Sequence, residues 1–229
     1  MMESREDKYE EILAVAKKNK ATLIAVSKTK PNEAILELYN RGQRFFGENK
    51  VQELCEKQES LPKDILWHII GHLQKNKVKY IAPFVSLIHA VDSIELLKVI
   101  QKEAAKNERI IPVLLQIYIA SEETKFGLSS EEVIALMDEV TVNPLPNVAI
   151  VGLMGMATFT TDMKQVSTEF ASLKQIFSTI KEKYFDSNSL ANHGYEFKEI
   201  SMGMSGDYPV ALAEGSTMIR IGSALFGAR

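Results

Sequence analysis

The chain has 229 residues, of which 45% are hydrophobic and 25% charged, with a formal net charge of -3. These are ordinary globular values, and the acidic and basic residues are interspersed without a basic arm or patch, which argues against nucleic-acid binding. The single Cys55 excludes internal disulfides and cysteine-rich metal sites, fits a reducing cytoplasm, and accompanies a charged N-terminus with no apolar signal core; no apolar run approaches the roughly 18 residues needed to span a bilayer.

In chain order the pattern alternates between helix and strand. Residues 3–19 place Ile12, Leu13, Val15 and Ala16 on one helical face. A short buried strand, 22–27, then runs into Ser27-Lys28-Thr29-Lys30-Pro31, where Pro31 stops any ladder. Asn32 is the expected N-cap of a helix ending at Gly42. Strand 44–48 leads through Asn49 to a helix reaching about 59. Strand 66–70 closes at Gly71, and a polar helix covers about 74–82. Strand 86–91 precedes a helix over 93–107 capped by Asp92 or Ser93. Strand 110–117 is followed by a loop through Lys125-Phe126-Gly127 and a helix at about 130–141. Strand 148–154 precedes a long helix over 162–184, with Val166, Phe170, Leu173 and Phe177 at helical spacing. Strand 196–202, a short helix 208–213, strand 216–221 and a turn over 224–228 complete the chain.

Eight near-continuous apolar strands, each followed by helix-like chain, are the pattern of a parallel sheet covered on both faces. No linker or low-complexity tract interrupts it, so the expected architecture is one α/β domain over 1–229. It is a (β/α)8 TIM-type barrel with an extra N-terminal helix; an open doubly wound sheet is the alternative. On a barrel, active sites lie on the loops after the strand C-termini, and phosphate sites favour the loops after the seventh and eighth strands. Those loops read Met202-Gly203-Met204-Ser205-Gly206-Asp207 and Arg220-Ile221-Gly222-Ser223. Each offers a glycine, a hydroxyl and the amides of a following helical turn, the parts of a phosphate cradle. Barrel closure sets the eighth strand beside the first, so Lys28 and Arg220 share one mouth. Lys28 and Lys30 alone read equally as solvated turn residues. An amine beside an arginine and a phosphate pocket suits a phosphorylated aldehyde.

These stretches also carry a resemblance. Ala25-Val26-Ser27-Lys28-Thr29-Lys30, Phe46-Gly47-Glu48-Asn49, Trp67-His68-Ile69-Ile70-Gly71-His72-Leu73-Gln74, Ser201-Met202-Gly203-Met204-Ser205 and Ile219-Arg220-Ile221-Gly222-Ser223-Ala224-Leu225-Phe226-Gly227-Ala228-Arg229 resemble the YggS/PROSC family of pyridoxal 5'-phosphate (PLP) homeostasis proteins, whose fold is similar to the barrel domain of alanine racemase. The resemblance implies that Lys28 is a Schiff-base lysine for PLP. It sets Arg220 against the pyridine nitrogen, has Ser205, Gly222 and Ser223 hold the phosphate, and puts Asn49 near the ring. The family often has threonine where Ser223 stands, and either supplies the hydroxyl.

An arginine donates only, so it would keep the pyridine nitrogen unprotonated and weaken the ring as an electron sink. Alanine racemases compensate with a tyrosine base from a second domain, which is not expected in a chain that ends just after its eighth strand. The expectation is therefore a cytoplasmic, monomeric PLP carrier with little or no catalysis, passing the cofactor transiently to apo-enzymes. A PLP-dependent racemase or decarboxylase is the alternative, and a sugar-phosphate aldolase or isomerase is a further one. His72 is a candidate pocket residue, whereas His68 reads as strand packing. No third ligand is spaced with these two histidines to hold a metal. Met154, Met156, Met202 and Met204 end strands at the mouth; they read mainly as packing, with Met204 the one taken as a cofactor contact. Tyr118 and Tyr208 are the tyrosines available as substitute bases, Lys125 lies on the loop after the fifth strand, and Cys55 reads as a buried small hydrophobe.

Overall fold

The computed structural model describes residues 5–121, 126–187 and 192–227. Eight parallel strands close into a barrel in sequence order: β1 (Thr22–Val26), β2 (Phe45–Glu48), β3 (Leu66–Ile69), β4 (Leu87–Val91), β5 (Ile111–Ile117), β6 (Val148–Gly155), β7 (Glu199–Ser201) and β8 (Met218–Ile221), with β8 returning to pair with β1. The helices are α1 (Arg5–Lys18), α2 (Asn32–Asn40), α3 (Val51–Ser60), α4 (Val78–Ile81), α5 (Ile94–Lys106), α6 (Ser130–Val142), α7 (Met163–Ile180), α8 (Tyr208–Ala213) and α9 (Ser223–Phe226). The expected TIM-type barrel with a preceding helix is the fold observed.

Alternation along each strand explains the closure. Leu23, Ala25, Trp67, Ile69, Val113, Leu115, Ile219 and Ile221 join the large apolar cluster that also contains the helix residues, so they face outward. Ile24, Leu87, Ala90, Leu114, Ala149, Val151, Met154 and Met218 form a separate cluster of strand residues that fills the barrel interior. Helix α1 packs on β1 and α9 through Tyr9, Ile12 and Ala16, all buried.

Several boundaries differ from expectation. Strand β7 is shorter than 196–202, because Phe197 leaves the ladder to stack between Phe177 and Phe185, at centroid distances of 4.7 and 4.4 Å. Pro31, not Asn32, occupies the N-cap of α2 without a side-chain cap, and the Asn32 amide donates to Ser60 Oγ instead. The helix expected over 74–82 splits into a 3₁₀ turn at Lys75–Lys77 and α4. The long helix continues past α7 as a wider π turn, Lys181–Asp186. Ser93 caps α5, accepting from the Leu96 amide.

Candidate functional site

The seam between β1 and β8 pairs Ile24 with Arg220 and Ala25 with Ile221. The two strands therefore deliver Lys28 and the Gly222-Ser223 turn to the same end of the barrel. The backbone on both sides of Lys28 is fixed. Ser27 is fully buried; its Oγ donates to Glu48 Oε1 at 2.6 Å, and its carbonyl accepts from Lys57 Nζ at 2.8 Å. Lys57 also bonds Glu48 Oε1 at 2.8 Å and Glu53 Oε1 at 2.7 Å, which matches its three protons to three acceptors. Beyond Lys28, the Thr29 amide donates to Glu53 Oε1 at 2.5 Å, and Thr29 adopts a positive φ of 63°. Lys28 itself is half-buried. Burial raises the pKa of Glu48 despite its bonds from Lys57 and Ser27, and its Oε2 is buried without a partner. Lys30 is committed elsewhere: its Nζ donates to the carbonyls of Phe226 and Gly227 at 3.3 and 3.2 Å, capping the end of α9.

Arg220 points into the barrel and is only 4% exposed. One guanidinium nitrogen donates to Ser201 Oγ at 2.6 Å and the other to the Gly155 carbonyl at 3.1 Å. Neither acceptor is a carboxylate. Burial lowers its pKa to about 10, so it stays cationic at neutral pH. Ser201 Oγ lies 2.9 Å from His89 Nδ1, and His89 Nε2 lies 2.9 Å from His68 Nδ1. Burial drives His68 down to about 3 and His89 well below its ordinary value, so both rings are neutral.

The turns after β7 and β8 meet. Gly203 has φ +96°, and a Cβ there would stand 2.6 Å from that of Ala211, so only glycine lets the chain turn under α8. Beyond it the Met204 amide donates to Asp207 Oδ1 at 2.5 Å. Ser205 Oγ accepts from the Ala224 amide at 3.4 Å, placing a hydroxyl at the first turn of α9. First-turn amides have no partner within their helix, which suits them to an anion. After the neighbouring strands β2 and β3, a Cβ on Gly71 would come 2.9 Å from the Asn49 Cα, so this close contact holds the half-buried Asn49 at the mouth. His72 is half-exposed, with Nδ1 3.2 Å from Asp92 Oδ2 and its ring stacked on Phe126 at 4.9 Å. Glu169 ties two rim loops together by accepting from Ser121 and Thr158. These bonds, with one from Gln165, hold its pKa low against the effect of burial.

A family model described as alanine racemase, N-terminal domain, matches residues 3–229. A pyridoxal phosphate homeostasis protein of Aquifex aeolicus is 42% identical over 212 residues, covering 92% of this chain and 88% of that protein. The chain belongs to this family. The human protein of the same name is 38% identical over 218 residues, 90% of this chain and 76% of its own length. PipY of Synechococcus elongatus, solved with PLP bound, superposes with a TM-score of 0.83 at 33% identity, covering 96% of this chain and 100% of that one.

Of the residues singled out in the sequence, the structure gathers Lys28, Arg220, Ser205, Gly222 and Ser223 around the β1–β8 seam. Asn49 and His72 stand on the loops after the adjoining strands β2 and β3, and Met204 is 37% exposed beside Ser205. Met154 and Met202 are wholly buried, and Met156 partly. Tyr118 and Tyr208 are half-buried. Lys125, Ala228 and Arg229 lie outside the described residues. Cys55 is half-buried rather than buried, its Sγ 3.8 Å from the Tyr80 carbonyl. Sequence reasoning missed His89, Ser201, Glu48 and Lys57. The available signal was a histidine at the centre of each of two successive apolar strands, Trp67-His68-Ile69 and Ile88-His89-Ala90. An imidazole in such a position needs a polar partner inside the barrel.

Proposed function

We propose that this chain binds PLP at the β1–β8 mouth and serves PLP homeostasis in the cytoplasm, as a monomer that hands the cofactor transiently to apo-enzymes and has little turnover of its own. The observation that carries this reading is that the paired strands β1 and β8 bring Lys28 and a buried cation, Arg220, to one barrel mouth, with the described hydrogen bonds of the guanidinium going to a hydroxyl and a carbonyl rather than to a carboxylate. The donor set fits the cofactor: an amine for its aldehyde, a donor-only guanidinium for its pyridine nitrogen, and a hydroxyl with first-turn amides for its phosphate. Lys28 would take the carbonyl carbon. Arg220 would donate to the ring nitrogen, Asn49, His72 and Met204 would border the ring, and Ser205, Gly222 and Ser223 would hold the phosphate. When bound, PLP supplies a reactive carbonyl and a ring able to accept electrons.

The protein's own residues keep that ring a poor electron sink. Arg220 is a cation at neutral pH, and the groups behind it, Ser201, His89 and His68, are neutral. Among the described hydrogen bonds behind Arg220, no acid therefore stands ready to protonate the ring nitrogen. The names of the homologous proteins describe homeostasis rather than a reaction, which supports the same view.

Borohydride treatment of the purified protein with added PLP is expected to fix a pyridoxyl mass on Lys28. Lys28→Ala should lose both the adduct and the visible absorbance, whereas Lys30→Ala should keep them. An adduct that persists in Lys28→Ala overturns the assignment. Rapid racemisation or decarboxylation of an amino acid by the loaded protein overturns the carrier reading in favour of an enzyme.

A further inference from the structure

The interior contacts of Arg220 fix the position of every proton behind it. A guanidinium only donates, so at 2.6 Å Ser201 Oγ must accept from Arg220. The serine hydrogen is then directed away from Arg220, to His89 Nδ1. That nitrogen accepts, so the His89 proton resides on Nε2 and is donated to His68 Nδ1. His68 in turn carries its proton on Nε2. In the reverse arrangement, with the proton on His89 Nδ1, Ser201 Oγ would accept from both Arg220 and His89 and, fully buried, would leave its own hydrogen without an acceptor among the described contacts. The groups facing His89 are His68 from β3, Ser201 from β7 and Arg220 from β8, and among the described residues neither imidazole meets a carboxylate.

We propose that His89, backed by His68, is a positioning residue: through Ser201 it locks the Arg220 guanidinium in the orientation that meets the ligand's ring nitrogen. The role rests on the PLP reading above; the proton arrangement does not. The relay joins four strands across the barrel, and its two halves are far apart in sequence, with His89 and Ser201 separated by 112 positions. Without His89, Ser201 has no fixed acceptor for its hydrogen and is free to turn it toward Arg220, which releases the guanidinium from its set plane.

The test has two arms. In ligand-free protein, two-bond ¹⁵N NMR should show both rings as the Nε2–H tautomer, with no titration between about pH 5 and 8. In the binding arm, His89→Leu should weaken PLP binding about tenfold and move the pH profile of the visible absorbance, while the borohydride adduct stays on Lys28. His89→Gln, whose amide both accepts and donates, should recover most of the loss. Ser201→Ala breaks the relay from the other side, should show the same weakening, and serves if His89→Leu does not fold. An Nδ1–H tautomer, a titration near about 6.5, or parent-like binding by His89→Leu or Ser201→Ala overturns the proposal. A parent protein that takes up no PLP overturns the functional reading and the positioning role together, whatever the tautomers.

Discussion

Unfolding releases His68 and His89 into water, where each takes up a proton near about 6.5. In the fold both values are lowered by burial, His68 to about 3. The unfolded chain thus binds more protons than the folded one once the pH drops below about 6.5. The stabilisation is complete above that value and is lost as pH falls, by up to about 1.4 kcal/mol per pH unit for each ring. Glu48 acts in the opposite sense: its raised value favours the fold below its ordinary range, an advantage lost as pH rises. Urea unfolding between about pH 7 and 4 should therefore show a steep loss that the His68→Gln/His89→Gln double variant flattens. At this scale the sequence was only partly legible. Strand pattern alone left Lys28 and Lys30 alike and only the family resemblance favoured Lys28; the physical distinction is the contact of Lys30 with the Phe226 and Gly227 carbonyls. His68 was visible but its partner was not, because local sequence says nothing about which strand interiors face each other.

The turn after β7 depends on one residue. Gly203→Ala must adopt φ +96° and push its methyl against Ala211. It should cost about 1–3 kcal/mol in thermal or urea unfolding. It should also weaken binding of PLP more than that of dephosphorylated pyridoxal, because the displaced turn carries Ser205. On the rim, Glu169→Ala removes the shared acceptor of Ser121 and Thr158. Faster amide exchange in the loops after β5 and β6, with barrel strands unchanged, is the expected result. Most elements were legible from apolar periodicity, since strands buried on both faces and helices with one apolar stripe leave different patterns. The failures occurred where tertiary contacts overrode local preference. Phe197 reads as strand but is drawn into an aromatic stack, and Asn32 reads as a cap but its amide is taken by Ser60 on α3.

Closure of the barrel was legible from eight strand–helix alternations because parallel strands with short crossovers have few arrangements that bury both faces. What holds the seam shut was not. Lys30 reaches from the first crossover to the last turn of the described chain, a separation of 196 and 197 positions for its two bonds. Lys30→Met should lower global stability by about 1.5–3 kcal/mol, the range for hydrogen bonds from a charged donor, as read in urea unfolding, and should leave the Lys28 adduct in place. The latch formed by Lys30 also has a mechanical consequence. The segment after β1 that carries Lys28 and the short helix after β8 that follows Gly222 are leashed to each other, so in the proposed function neither end of a bound molecule would be let go without tugging on the other. In the proposed function, unloading would then be a single concerted slackening of the seam.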